Sequence, residues 1–127
     1  MIAGYQKPAE MPMMTVDDDG IIHTNYGTIM VTAAHIVHVA ARYRELSGMD
    51  KSLVIHTSEA GRDPGGDLAE ISRSDWVKER VEAVAIVVDR KIARVLVDIY
   101  MKFQKNPYPT KVFPTIETAK EWLRAFL

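Results

Sequence analysis

The 127-residue chain reads as a single-domain α/β protein. The expected fold has about five strands in a mostly parallel mixed sheet, an N-terminal hairpin, and about four helices mainly on one face. Three observations predict it. Val84-Ala85-Ile86-Val87-Val88 is an unbroken apolar run of strand length and β-branched composition. Just after it, Ile92, Val95, Leu96, Ile99 and Phe103 recur at helical spacing, predicting a helix to about residue 104. Near the start, Asp17-Asp18-Asp19-Gly20 separates two strand-like stretches, and Asp-Gly tolerates the positive φ angles of a tight hairpin.

Taken in order, residues 1–10 have no clear period and carry Gly4 and Pro8, so they read as an irregular arm ahead of a domain spanning 11–127. Strands are expected at 11–16 and 21–26. A helix follows from Thr32 to about Ser47, burying Ile36, Val39, Ala40, Tyr43 and Leu46, with Gly48 where a left-handed cap falls. Leu53-Val54-Ile55-His56-Thr57 is apolar on both faces, as an interior strand is. Residues 58–67 form a Gly- and Pro-containing loop, and Ser72 or Ser74 caps a short helix to about Arg80 anchored by Trp76. After the long helix, Asn106-Pro107-Tyr108-Pro109 is a breaker and Thr110-Lys111-Val112-Phe113 a short strand. Thr115 caps a last helix with Ile116, Ala119, Trp122, Leu123 and Phe126 on its apolar face. The order is β-β-α-β-α-β-α-β-α.

Composition excludes more than it selects. A formal net charge of -1 gives no general attraction to nucleic acid or anionic membrane. With no cysteine, disulfides, thiolate chemistry and cysteine-built metal sites are ruled out. Residues 1–10 lack a basic start and an apolar core, and no apolar run nears the ~18 residues that span a bilayer. The expectation is a cytoplasmic protein with no membrane insertion.

Four patterns invite chemistry, and each has a plainer reading. Three aspartates lack the ligand spacing and terminal glutamate of a calcium loop, so they read as a turn. His35 and His38 sit three apart on a helix with no carboxylate to complete a metal site, and read as surface histidines. Gly61 and Gly66 have the spacing of a phosphate-binding loop, but Asp67 and Leu68 stand where Lys and Ser or Thr belong. His56, Ser58 and Asp89 are the residue types of a hydrolase triad, without the Gly-x-Ser-x-Gly elbow that presents a serine. No cofactor or metal is expected.

The C-terminal third carries a resemblance. Val84-Ala85-Ile86-Val87-Val88-Asp89, Arg94, the run from Asn106 to Phe113, and Ala119-Lys120-Glu121-Trp122-Leu123 resemble the STAS-like proteins. These are small uncharacterised bacterial proteins related to anti-sigma-factor antagonists, similar to sporulation stage II AA. The resemblance implies a β-α superhelix and a regulatory role in docking partner proteins, in some relatives under serine phosphorylation. The signature Asp-Ser-Ser-Gly-like segment is replaced here by His56-Thr57-Ser58-Glu59-Ala60-Gly61, so the phosphosite is not carried over.

Three function classes follow. The first is a non-catalytic regulatory or binding domain, not an enzyme, docking a protein partner at the C-terminal edge of the sheet. The second binds a small apolar or lipid-like ligand. The third is a hydrolase-like enzyme using His56, Ser58 and Asp89. In each case the expected site is the crevice at the C-terminal ends of the parallel strands, where loops and helix N-termini gather. That edge collects His56, Thr57, Ser58 and Glu59 after one strand, and Asp89, Arg90, Lys91 and Arg94 around the next helix start. Both strands at 53–57 and 84–88 are apolar on two faces. A face left bare by one-sided helices would be covered in part by the arm 1–10 and the N-terminal hairpin, or by a second subunit; isologous dimers being the commonest oligomers, a homodimer is expected.

Overall fold

The computed structural model describes residues 1–59, 66–88, 94–95, 97–98 and 105–127 of the chain. Five strands form one mixed sheet in sequence order: β1 (Met13–Val16), β2 (Ile22–Gly27), β3 (Ser52–Ser58), β4 (Val81–Val87) and β5 (Thr110–Phe113). Strands β1 and β2 are antiparallel and the remaining neighbours are parallel. The expected fold class is the one observed.

The hairpin closes as its sequence requires. Asp17 N–H donates to Ile21 C=O and Gly20 N–H to Asp17 C=O, with Gly20 at φ 81°. A Cβ at Gly20 would meet Met49 Cε at 3.1 Å, so both backbone and space favour glycine here. Strand β1 begins at Met13 rather than residue 11, because Pro12 has no N–H to give a ladder.

Between β2 and β3 the expected single helix is two: α1 (Ala33–Ala40) and α2 (Tyr43–Ser47). Arg42 N–H bonds to Val39 C=O, an i→i−3 contact that tightens the turn and breaks the ladder. Ile36, Val39, Ala40 and Tyr43 stay buried through the break, and Gly48 ends α2 at φ 70°. Between β3 and β4 lie α3 (Gly66–Ser72) and α4 (Asp75–Lys78). Ser74 caps α4 through a bond from Val77 N–H, while Ser72 is the buried last residue of α3. In the β4–β5 connection Arg94, Val95, Val97 and Asp98 are helical, and the rest of the predicted 92–104 helix lies outside the described residues. Val95, placed on the apolar stripe by spacing, is 52% exposed, and Val97 packs on the core instead.

The alternation of strand residues sorts the core into two layers. Ile22, Tyr26, Val54, Val84 and Ile86 share one face with α1, α2, α3 and α4. Right-handed crossovers between strands advancing one way put their helices on a common side. Leu53, Ile55, Ala83, Ala85, Val87 and Phe113 face the other way and meet α5 (Ile116–Arg124) through Ala119 and Leu123. That helix follows the last strand and is not bound by a crossover. It corrects the argument for a dimer across a bare second face, since the apolar residues of 53–57 and 84–88 are already covered within one chain. No helix among the described residues is long and apolar enough to cross a membrane.

Candidate functional site

At the C-terminal edge, β2 and β3 stay paired to their ends, where Glu59 N–H donates to Gly27 C=O at 2.8 Å. Pairing of Thr24 with His56 and Asn25 with Thr57 fixes which way each side chain points. His56 and Ser58, two apart on β3, therefore share the face under α1, and both line a cavity of about 30 Å³ with Tyr26, Val31, Ile36 and Ile86. Thr57 lies on the opposite face and Glu59 is exposed at the rim. Arg94 reaches the same edge from the helix after β4, its Nη1 donating to Val88 C=O at 3.4 Å. Asp89, Arg90 and Lys91 lie outside the described residues, so the hydrolase set is seen only as His56 and Ser58.

Tyr26 is the residue around which the crevice is built. Its ring packs between two histidines, tilted against His56 at 5.6 Å and edge-on to His35 at 6.1 Å. Alternation through Ile22, Thr24 and Tyr26 was the available sequence signal for it. His35 and His38 are not surface residues. They are 6% and 7% exposed, covered by the N-terminal arm. His35 Nε2 donates to Glu10 C=O at 2.9 Å while its Nδ1 accepts the Thr32 N–H at 3.2 Å, which sets the tautomer. With Thr32 Oγ1 accepting the His35 N–H, this is a capping box in which histidine stands where glutamate is usual. His38 Nε2 donates to Tyr5 C=O at 2.7 Å. The arm is correspondingly regular: Ile2 and Tyr5 bridge across a turn with Ala3 at φ 49° and Gly4 at φ 86°.

A family model described as a domain of unknown function, DUF7793, matches residues 14–127. The chain belongs to that family. The match takes in every named element apart from the first residue of β1. No curated protein matches the chain. Among solved structures, a protein of unknown function from Arthrobacter sp. FB24 is similar to it at 22% identity, over 88% of this chain and 98% of that one, with a TM-score of 0.31.

A second cavity of about 30 Å³ adjoins the first in this DUF7793 domain, sharing Ile36, His56 and Ile86. It is the more polar of the two, with Ser72, Asn106, Tyr108 and Thr110 in its wall. Tyr108 donates its hydroxyl to Ser72 C=O at 2.8 Å, and Asn106 donates to Thr110 Oγ1 at 3.1 Å. Burial pushes the Tyr43 hydroxyl well above its ordinary pKa, and Tyr26 and Tyr108 add to that. Ser72 Oγ is buried without a hydrogen-bond partner among the described residues. A space of this size holds one or two waters, which would satisfy it.

Away from the crevice, the acidic turn is a structural clamp, as a turn reading implies. Asp17 Oδ1 accepts the N–H groups of Asp19 and Ile21 at 2.9 and 3.1 Å. Its Oδ2 meets His23 Nε2 at 2.8 Å and Lys120 Nζ at 3.1 Å, and Arg124 Nε reaches Asp19 at 3.2 Å. Partial burial pushes the Asp17 carboxyl up. The His23 ring, Lys120 and the two backbone N–H groups outweigh this and hold its pKa at about 2, against an ordinary 3.8. The described residues contain no group of three metal-ligating side chains.

Proposed function

We propose that this chain is a non-catalytic regulatory or binding domain that docks a protein partner at the C-terminal edge of its parallel strands. The observation that carries the reading is the shape and chemistry of that edge. The Tyr26 cavity has an apolar wall and a volume suited to a water or two, or to the tip of one side chain. Beside it, in the loop from β2 to α1, Met30 stands 54% exposed next to the lining residue Val31. An exposed apolar side chain beside an apolar pocket, with Arg94 and Glu59 at the same edge of the sheet, matches the anchor-and-rim anatomy of a transient interface. A metabolite site is ordinarily about ten times larger. The resemblance to anti-sigma-factor antagonists supports the same reading.

A small-ligand reading draws on the buried Ser72 hydroxyl in the second cavity. In this conformation the guest it favours is small and polar rather than lipid-like.

The test begins with cross-linking in native lysate, identifying bound proteins and small molecules by mass spectrometry. Binding of the purified partner is then measured for Met30→Asp and Arg94→Ala. Each should weaken binding by at least about 1 kcal/mol with the thermal midpoint nearly unchanged. If both variants bind like the parent, the docking surface lies elsewhere. A retained small molecule displaced by neither change would favour the ligand reading.

A further inference from the structure

The two edges of the sheet are not alike. Strand β5 is bracketed by Pro109 and Pro114 and carries Lys111, devices that discourage another strand from adding there. Strand β1 has Pro12 before it, but no proline follows it and no lysine or proline lies within it. The Asp17–Ile21 bond sets the alternation of the hairpin ladder, so Thr15–His23 and Met13–Asn25 are the hydrogen-bonded pairs. The N–H and C=O groups of Met14 and Val16 therefore point away from β2, along the open edge. The side chains there are exposed too: Met13 by 72% and Val16 by 42%.

We infer that β1 pairs antiparallel with β1 of a second copy of this chain, joining two five-stranded sheets edge to edge about a twofold axis at Thr15. The register follows from the donors. Setting Met14 opposite Val16 of the second copy makes two hydrogen-bonded pairs related by the axis, each exchanging both backbone bonds. Sliding one way brings in Pro12, which has no N–H; sliding the other way enters the turn at Asp18. In the chosen register Met14 and Val16 cover each other on the helix-bearing face.

Charge complements the pairing. Arg42 lies with Nη1 3.9 Å from Met14 Sδ on that same face and has no carboxylate partner among the described residues. Asp18 is exposed at the turn, also without an ion-pair partner. Antiparallel pairing carries Asp18 of the second copy two residues past its Val16, towards the Arg42 that overlies Met14, and symmetry repeats the contact. This interface leaves the C-terminal crevice open and does not depend on its function.

The chain has no cysteine, so a single introduced thiol reads the register directly. Thr15→Cys places two thiols on the axis in a non-hydrogen-bonded pair, about 4.5 Å apart at Cα, within disulfide range. Met13→Cys places them four residues out of register, about 13 Å apart. Under mild oxidation of the full chain, Thr15→Cys should form a covalent dimer at least about tenfold faster than Met13→Cys. Equal rates, or no dimer from Thr15→Cys, overturn the proposal. Sedimentation of the parent should show a dimer, and Arg42→Asp should weaken it by about fivefold. Adding Asp18→Arg should restore it. A parent chain monomeric up to about 100 μM, a concentration at which even a weak specific dimer assembles, would also overturn the proposal and leave the edge to a strand of another protein.

Discussion

Replacing Asp17 by asparagine isolates the charge at the hairpin clamp. Asparagine keeps a carbonyl oxygen for the N–H groups of Asp19 and Ile21, so the turn can still form. What it loses is the attraction to Lys120 and the carboxylate oxygen that meets His23 Nε2. The difference between a pKa of 3.8 and about 2 corresponds to about 2.4 kcal/mol at neutral pH. The side chain is 19% exposed, and screening trims this to about 2 kcal/mol. Because the folded-state pKa is depressed, this stability is fully present above about pH 4 and is lost as pH falls through about 2. Denaturant unfolding of parent and variant at pH 7 and pH 3 measures both points. The gap should be about 2 kcal/mol at pH 7 and about half that at pH 3. A gap that is independent of pH, or below about 0.5 kcal/mol at pH 7, would show that the clamp is a geometric contact without electrostatic weight.

Thr24→Val should stabilise the fold by about 1 kcal/mol, because Thr24 Oγ1 is buried with no hydrogen-bond partner among the described residues and valine keeps its shape; a loss in the denaturation midpoint would show that the hydroxyl has a partner. Leu123→Ala should cost about 2–5 kcal/mol by the same assay, since Leu123 is fully buried against Ile55, Ala85 and Val87 and fills the second core layer. His38→Ala should release the arm without unfolding the sheet. Amide exchange at Ile2 and Tyr5 is expected to accelerate at least about tenfold, with β3 and β4 unchanged, if the bond to Tyr5 C=O holds the arm.

The legible parts were those decided by neighbours in the sequence. Val84 to Val88, Leu53 to Thr57 and the Asp-Gly turn carry their own strand and hairpin signals, and β3, β4 and the β1–β2 hairpin appear where those signals stand. Thr115 and Ser74 cap helices because their hydroxyls reach an N–H three residues on. What spacing missed was set by distant packing. The apolar period from Ile92 placed Val95 inwards, yet Val97 is the residue on the core. The helix Gly66–Ser72 forms in a stretch read partly as loop, where Leu68 finds a buried seat that no local pattern announces. His35 and His38 lay off the apolar stripe and read as exposed because their cover, residues 1–10, shows no periodicity of its own. At the candidate site, the sequence puts His56 and Ser58 at the C-terminal end of β3, and alternation along that strand sets both on one cavity wall. Tyr26 and Val31 entered it only once β2 and β3 were known to be neighbours.

That histidine cover connects the arm to the crevice. Glu10 is held by His35, His35 caps α1 and packs edge-on against Tyr26, and Tyr26 stacks on His56 in the cavity wall. Replacing His35 by leucine would remove the acceptor for the Thr32 N–H, and the capping box at the start of α1 beside Val31 would lose one of its two bonds. Loss of residues 1–10 would take away the carbonyl that fixes the same ring. Each perturbation acts on the Tyr26 side of the cavity, leaving β4 and α5 untouched. The arm therefore supports the Tyr26 wall of the candidate site from behind, through His35. If a partner seats a side chain against Tyr26, as proposed, the surface it meets is one buttressed by the arm through His35.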